Sequence, residues 1–180
     1  MKVVAVIGSP HPHGPSVRLT EELLRGAKDA GHEVVVYRIN DMNVRGCQGC
    51  RVCKDQDVDC ILDDDLKPYW KDLHECGALV VSGPNYCAQI CGPMITYMNR
   101  HYCIIRGDGK IRVHPGIKLV GIFSQGRDDL DAYKPAYDAY LADFQNRDMI
   151  LVDSIIQCGN EELTSDSPNM KRAYEIGKNL

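Results

Sequence analysis

Short apolar runs alternate with stretches of helical spacing along this chain. Lys2 to Gly8, KVVAVIG, is a continuous β-branched run of the kind that forms a strand covered on both faces. Ser16 to Ala30 places Val17, Leu19, Leu23, Leu24 and Ala27 at helical spacing and stops at Gly31. HEVVVYRI reads as a second strand. Residues 40–63 are polar and cysteine-rich, a long irregular connection of the sort that usually carries function. DDDLKPYWKDLHECG reads as a short helix with acids in its first turn, where they complement the helix dipole, and Pro68 fits only within that turn. ALVVSGP is a third strand. Gly92 to Cys103 follows as a helix with Met94, Tyr97 and Met98 on one side. KLVGIFSQG, a helix over Asp131 to Arg147, MILVDSIIQCG and a closing helix from about Asn169 to Leu180 complete the pattern.

Five apolar strands separated by helices imply an α/β fold: three layers around a doubly wound, five-stranded parallel sheet, with the cysteine-rich loop after the second strand. The chain is read as one domain, 1–180, with a cysteine-rich insertion over about residues 44–62. Ligands of such sheets sit at the carboxyl ends of the strands, near the switch point in strand order, which directs attention to three loops.

The first, GSPHPHGPSV, links strand one to helix one. Its backbone turns tightly before a helix N-terminus, which attracts an anion. Ser9 and Ser16 can donate to phosphate oxygens, as can His11 and His13, with Val17 in the same first turn. It is neither a Walker loop nor a GxGxxG turn. A capped turn with two surface histidines would look the same. The second loop, SGPNYCAQICGPM, brings Pro84, Asn85, Tyr86 and Cys87 to a strand end, where an aromatic and backbone donors could flank a flat heteroaromatic ring. The third, FSQGRDD, adds Ser124, Gln125 and Gly126 as a polar lip. Together they sit where a doubly wound sheet holds a mononucleotide, one loop at the phosphate and two around the ring.

Composition narrows the setting. Of 180 residues, 44% are apolar and 26% charged, ordinary for a globular protein, and the net charge of −4 speaks against nucleic acid or an anionic membrane as partner. No apolar run reaches the roughly 20 residues that span a bilayer, and MKVVAVIGSP reads as a strand rather than a signal peptide, so a cytoplasmic location is expected. Nine cysteines in such a chain point to metal or redox chemistry rather than disulfides. Cys76, Cys103 and Cys158 fall in or beside apolar elements and read as core residues. Cys87 and Cys91 read as small residues packed by the ring loop.

Over nearly its whole length the chain resembles the NADPH-dependent FMN reductase branch of the flavodoxin-like fold. GSP followed by a Gly-containing hydroxyl loop is similar to that family's phosphate loop, GPNYCAQICGPMITYMNR to its ring-binding loop and next helix, and MKRAYEIGKNL to its closing helix. His11, Pro12, His13 and Pro15 depart from the Arg or Lys, Asn and Thr usual in that phosphate loop. The resemblance implies FMN at the three loops and NAD(P)H or a reduced ferredoxin-like protein as electron donor. It also implies a homodimer or homotetramer with the cysteine loop of one subunit near the flavin of another.

Within that family, CQGCRVCKDQDVDC resembles the compact motif of the iron–sulfur flavoproteins. Three closely spaced cysteines, Cys47, Cys50 and Cys53, with Gly46 and Gly49 permitting unusual backbone angles, can wrap one side of a [4Fe–4S] cluster, and Cys60 can close the other. A structural zinc site made of the four cysteines and a metal-free thiol loop remain alternatives. The expected function is an FMN-dependent oxidoreductase in which the flavin does the chemistry, so no catalytic acid or base is assigned. The alternative is a non-enzymatic flavodoxin-type electron carrier or redox sensor.

Overall fold

The computed structural model describes residues 1–159 and 161–180. The central sheet runs β2(Glu33–Arg38), β1(Lys2–Ile7), β3(Cys76–Tyr86), β5(Lys118–Ser124), β6(Ile150–Gln157), with all four neighbouring pairs parallel. The switch point lies between β1 and β3. A two-residue strand, β4(Gln89–Ile90), pairs antiparallel with the end of β3 and adds a sixth strand to the five expected. It escapes hydropathy patterning because two residues show no period.

Successive side chains of β1 serve opposite faces, as the strand pleat requires. Val4 and Val6 pack into one core with Leu66, Tyr69, Leu73, Met94, Tyr97, Tyr140 and Phe144. Val3 and Ala5 pack into the other with Leu19, Leu23, Ala27, Met170 and Ala173. The first core belongs to α3(Lys67–Glu75), α4(Gly92–Arg100) and α5(Lys134–Gln145), the second to α1(Pro15–Asp29) and α6(Pro168–Lys178). The three-layer reading therefore holds. Helices α1 and α6 approach so closely that a Cβ on Gly177 would stand 1.8 Å from the Leu23 carbonyl oxygen.

Several boundaries moved for local reasons. The acids Asp63 to Asp65 precede α3 rather than filling its first turn. The Asp64 carboxylate accepts from Leu66 N, and Pro68 does lie in the first turn. The helix expected to reach Cys103 ends at Arg100 and tightens into a 3-10 turn over His101–Ile104. The connection after β2 is irregular as expected, apart from a 3-10 turn at Ile39–Asp41 and one helical turn, α2(Val52–Asp55). No helix among the described residues is long and apolar enough to cross a membrane.

Candidate functional site

The carboxyl ends of four strands enclose an open pocket of about 220 Å³ walled by His11, Pro15, Pro84, Asn85, Tyr86, Ser124, Gln125, Gly126 and Gly159. That is below the ~300–1,000 Å³ of sites that engulf a small molecule, so a ligand here keeps one face open. Backbone bonds fix the strand ends that carry the loops: Gly8 N donates to Ser82 O at 2.8 Å, Cys91 N to Pro84 O at 3.0 Å and Gln125 N to Gln157 O at 2.9 Å. Two larger depressions, about 360 and 510 Å³, flank β6. Part of their charge is already paired, Arg172 with Asp153 and Lys134 with Asp138, and of the three loops only Asp128 of the third reaches one of them. The smaller pocket is therefore the better candidate.

At its first wall, Ser9 Oγ accepts from His11 N at 3.2 Å, and Gly14 N donates to His11 O at 3.1 Å, closing a tight turn into α1. Gly14 is the N-cap and Pro15 opens the helix, so no side chain caps it. The N–H groups of Ser16 and Val17 are first-turn donors of that uncapped end. Ser16 is 1% exposed and its hydroxyl is buried without a partner; Ser9, Ser16 and Val17 lie behind the pocket wall rather than in it. His13 is exposed and stands outside the pocket wall.

The second wall is a hairpin. Asn85 pairs with Ile90 and Tyr86 with Gln89, leaving Cys87 and Ala88 as the two turn residues, at φ 52° and 62°. Both occupy the left-handed region, as a two-residue hairpin with the twist of its strands demands, at a cost of about 1–2 kcal/mol each for residues with a Cβ. The turn carries half-exposed Tyr86 to the pocket rim, and Asn85 Nδ2 is a buried donor without a partner. Cys87 is exposed at the tip and not in the wall. Cys91 is buried against Gly8 and Gly83, and burial pushes its thiol up, which makes it a packing residue.

At the third wall Gln125 is buried, and its amide is committed inward. Nε2 donates to Asp129 O at 2.6 Å, and Oε1 accepts from Tyr137 Oη at 2.9 Å. It shapes the lip rather than offering polar atoms. Sequence reasoning missed Gly159 and Pro15. Gly159 (φ 67°) leaves space that a Cβ would fill 2.3 Å from Asp128 Oδ1. Only its place at a fourth strand end could have signalled it.

A second cavity is lined by Cys47, Cys50, Cys53 and Cys60, together with Arg51, Arg100, Tyr102 and a fifth cysteine, Cys103. Cys47 and Cys50 are exposed, Cys60 half-buried and Cys53 buried. Gly49 and Arg51, at φ 63° and 62°, turn the backbone around the cavity. The thiols share the cavity without converging on one ion-sized point: among the described residues no three His, Cys, Asp or Glu groups stand where they could hold a single metal ion. Charged side chains hold the loop alongside the packing of Val44, Cys53 and Cys60 on the core. The fully buried Arg100 side chain pairs with Asp64, donates Nη1 to Arg45 O at 2.9 Å and donates Nε to Cys60 Sγ at 3.2 Å. Burial works against its charge, but the bonds to Asp64 and Cys60 outweigh that. Its Nη2 has no partner. Arg112 spans Cys103 O at 3.2 Å and Cys53 O at 3.1 Å, and Lys54 donates to Tyr102 O at 2.7 Å. Cys103, read from the sequence as a core residue, is buried as expected and yet lines this cavity, its thiol pushed up to about 12 by burial. Cys158, also read as core, is only half-buried.

A sequence model described as NADPH-dependent FMN reductase matches residues 1–133, which carry β1, the uncapped α1, the hairpin and the cysteine cavity. The chain belongs to the NADPH-dependent FMN reductase family. Curated relatives include an iron-sulfur flavoprotein of Archaeoglobus fulgidus, 26% identical over 124 residues that make up 65% of this chain and 56% of that protein. An iron-sulfur flavoprotein of Methanocaldococcus jannaschii is 28% identical over 56% of this chain and 51% of its own length. The chain thus spans about half the length of the curated relatives it matches. Among solved structures, the NAD(P)H:quinone oxidoreductase from Methanothermobacter marburgensis superposes with a TM-score of 0.71 at 18% identity, covering 99% of this chain and 95% of that one. An azoreductase from Bacillus anthracis gives 0.74 at 14% identity over the full length of both. These two likenesses establish the fold that this family member shares with them.

Proposed function

We propose that this chain is an FMN-dependent oxidoreductase that takes electrons from NAD(P)H or a reduced carrier and passes them to an acceptor. The observation that carries the reading is the open pocket at the switch point, where four strand ends meet an uncapped helix. FMN, when bound, supplies the hydride and one-electron chemistry. The chain's own groups fit it. The N–H groups of Ser16 and Val17 and the orphaned Ser16 hydroxyl suit a phosphate at the start of α1. The orphaned Asn85 Nδ2 and the Tyr86 ring suit the edge and face of a flat heterocycle. His11 walls the same pocket, and Gly126 leaves room for close approach. The open side leaves a face free for a donor. FMN titration of the flavin-free protein, followed by steady-state NADH and NADPH oxidation with a quinone or free flavin, tests the reading. A protein that binds FMN but is reduced only by partner proteins would be a carrier instead.

The same reading includes a [4Fe–4S] cluster on Cys47, Cys50, Cys53 and Cys60. Its support is the shared cavity, the all-thiol donor set, the spare Arg100 Nη2 donor beside sulfur ligands, and the cations Arg51 and Arg100, which offset thiolate charge. That two of the relatives are iron-sulfur flavoproteins agrees with it. Anaerobic purification should yield iron and acid-labile sulfide. Cys53→Ser should lower both together while FMN stays bound through its separate loops. Zinc in their place would remove the cluster from the reading.

A further inference from the structure

We infer that Cys103 is a fifth ligand-competent thiol of the cysteine cavity, placed to stand in for Cys60 as the fourth ligand. The inference rests on the cluster reading above. Four thiolates complete a cubane cluster, and this cavity is walled by five thiols. The fifth comes from a segment 43 positions beyond Cys60, so the short spacing of the compact motif does not account for it.

Cys103 lines the cavity from the core side, and its backbone is tied to that of Cys53. Arg112 bridges the backbones of Cys53 and Cys103 with two donors of one guanidinium, at 3.1 and 3.2 Å. Arg100, three residues before Cys103, donates to the Cys60 sulfur at 3.2 Å. Lys54, next to Cys53, donates to Tyr102 O and Ile105 O, one before and one after Cys103. Cys53, Cys60 and Cys103 are therefore tied together by three cationic side chains, whereas Cys47 and Cys50 stand exposed on the outer loop. Losing the Cys60 sulfur leaves Arg100 Nη1 bonded to Asp64 and Arg45 O but takes the acceptor from Nε.

The exchange is a ligand swap. One iron–sulfur bond to Cys60 is replaced by one to Cys103, the Cys103 thiol proton goes to solvent, Cys60 takes a proton up when it is present, and no electron moves.

Wild-type protein, Cys60→Ala, Cys103→Ala, Cys60→Ala/Cys103→Ala and Cys53→Ala are purified anaerobically and analysed for iron and acid-labile sulfide relative to FMN. Retained FMN reports a folded sheet in each, and Cys60→Ser, which keeps an acceptor for Arg100, is run beside Cys60→Ala. We expect Cys60→Ala and Cys103→Ala each to keep iron and sulfide near the wild-type ratio, and the double variant and Cys53→Ala to lose both. The reduced-state paramagnetic resonance spectrum of Cys60→Ala should also shift from wild type, because one thiolate now comes from a different place. Cys60→Ala and Cys60→Ser losing as much iron and sulfide as the double variant, with wild type loaded, overturns this inference alone. Wild type without iron and sulfide overturns the cluster reading and this inference with it.

Discussion

Replacing Arg100 by leucine removes the group that ties α4 to the cysteine loop, and the cost follows from its surroundings. The Arg100 side chain is fully buried and Asp64 is 2% exposed, so the leucine variant strands a buried carboxylate. Breaking one side of a buried pair costs about 3–5 kcal/mol. Asp64 keeps two backbone donors, Arg45 N and Leu66 N, both at 3.2 Å, which places the expectation at the lower end, about 3 kcal/mol. In a chain of this length each kcal/mol moves Tm by about 2–4 °C, so the midpoint should fall by about 6–12 °C. Urea unfolding at fixed FMN loading gives the free energy directly. Arg100→Leu/Asp64→Asn should be more stable than Arg100→Leu alone, because the amide removes the stranded charge and still accepts from one of the two backbone donors, which bond different carboxylate oxygens. An Arg100→Leu cost under about 1 kcal/mol, or a double variant less stable than the single, would refute the assignment of a buried ion pair as the clamp.

Ser16→Asp should set a like charge beside the FMN phosphate; at about 5 Å and an effective dielectric near 20 the repulsion is about 3 kcal/mol per unit charge, or more than about a hundredfold in Kd. Unchanged FMN affinity would place the phosphate elsewhere. Gly8→Ala puts a Cβ 2.3 Å from Met94 Cγ and 2.8 Å from its sulfur, an overpacking cost of about 1–3 kcal/mol. Most of that cost should be lost in a Met94→Ala background, where Cys91 Sγ at 3.0 Å is the remaining close contact, and an equal cost in both backgrounds argues against the Met94 contact. Burial pushes Asp72 up, but hydrogen bonds from Lys2 (2.8 Å) and Tyr37 (2.5 Å) outweigh it and hold the carboxyl below its ordinary value. A depressed folded value gives stability that is present at neutral pH and lost as pH falls through that value. Asp72→Asn should therefore trail wild type by about 1–3 kcal/mol at pH 7, with the gap closing in acid. A gap of the same size at pH 3 would contradict the sign. Light scattering should find a homo-oligomer, consistent with the exposed Tyr86, Ile95, Tyr102 and Ile61; a monomer that keeps FMN and activity would contradict it.

The sheet was legible because its three central strands are apolar runs buried along most of their length, with Val3 to Ile7 of β1 leaving no polar position to blur the signal, and the edge strands β2 and β6 still carry β-branched runs. The three loops were legible for a related reason: strand ends in a parallel sheet all point one way, so reading the strands locates the pocket. What stayed hidden depends on contacts between distant positions. Cys103 looks like any thiol in an apolar stretch until the 3-10 turn after α4 brings it beside Cys53 and Cys60. The cysteine loop has little apolar content and reads as loosely held. Arg100, Arg112 and Lys54 help to hold it, from positions whose spacing carries no period. His13 follows the same hydroxyl-and-histidine pattern as His11, yet a turn closed by Ser9 admits one histidine to the pocket wall and leaves the other in solvent.

The hairpin that carries Tyr86 leads directly into α4, and α4 ends at Arg100 on the cysteine cavity. Nine helical residues advance about 13 Å and each turns the helix by about 100°. The helix therefore acts as a ruler with a fixed phase: its length sets the separation of pocket and cavity, and its residue count sets the direction in which the guanidinium points. Substitutions on its outer face leave both settings intact. One inserted or deleted residue would swing the guanidinium away from Asp64 and Cys60 while the hairpin stayed whole, so along this segment the chain tolerates changes of residue far better than changes of length.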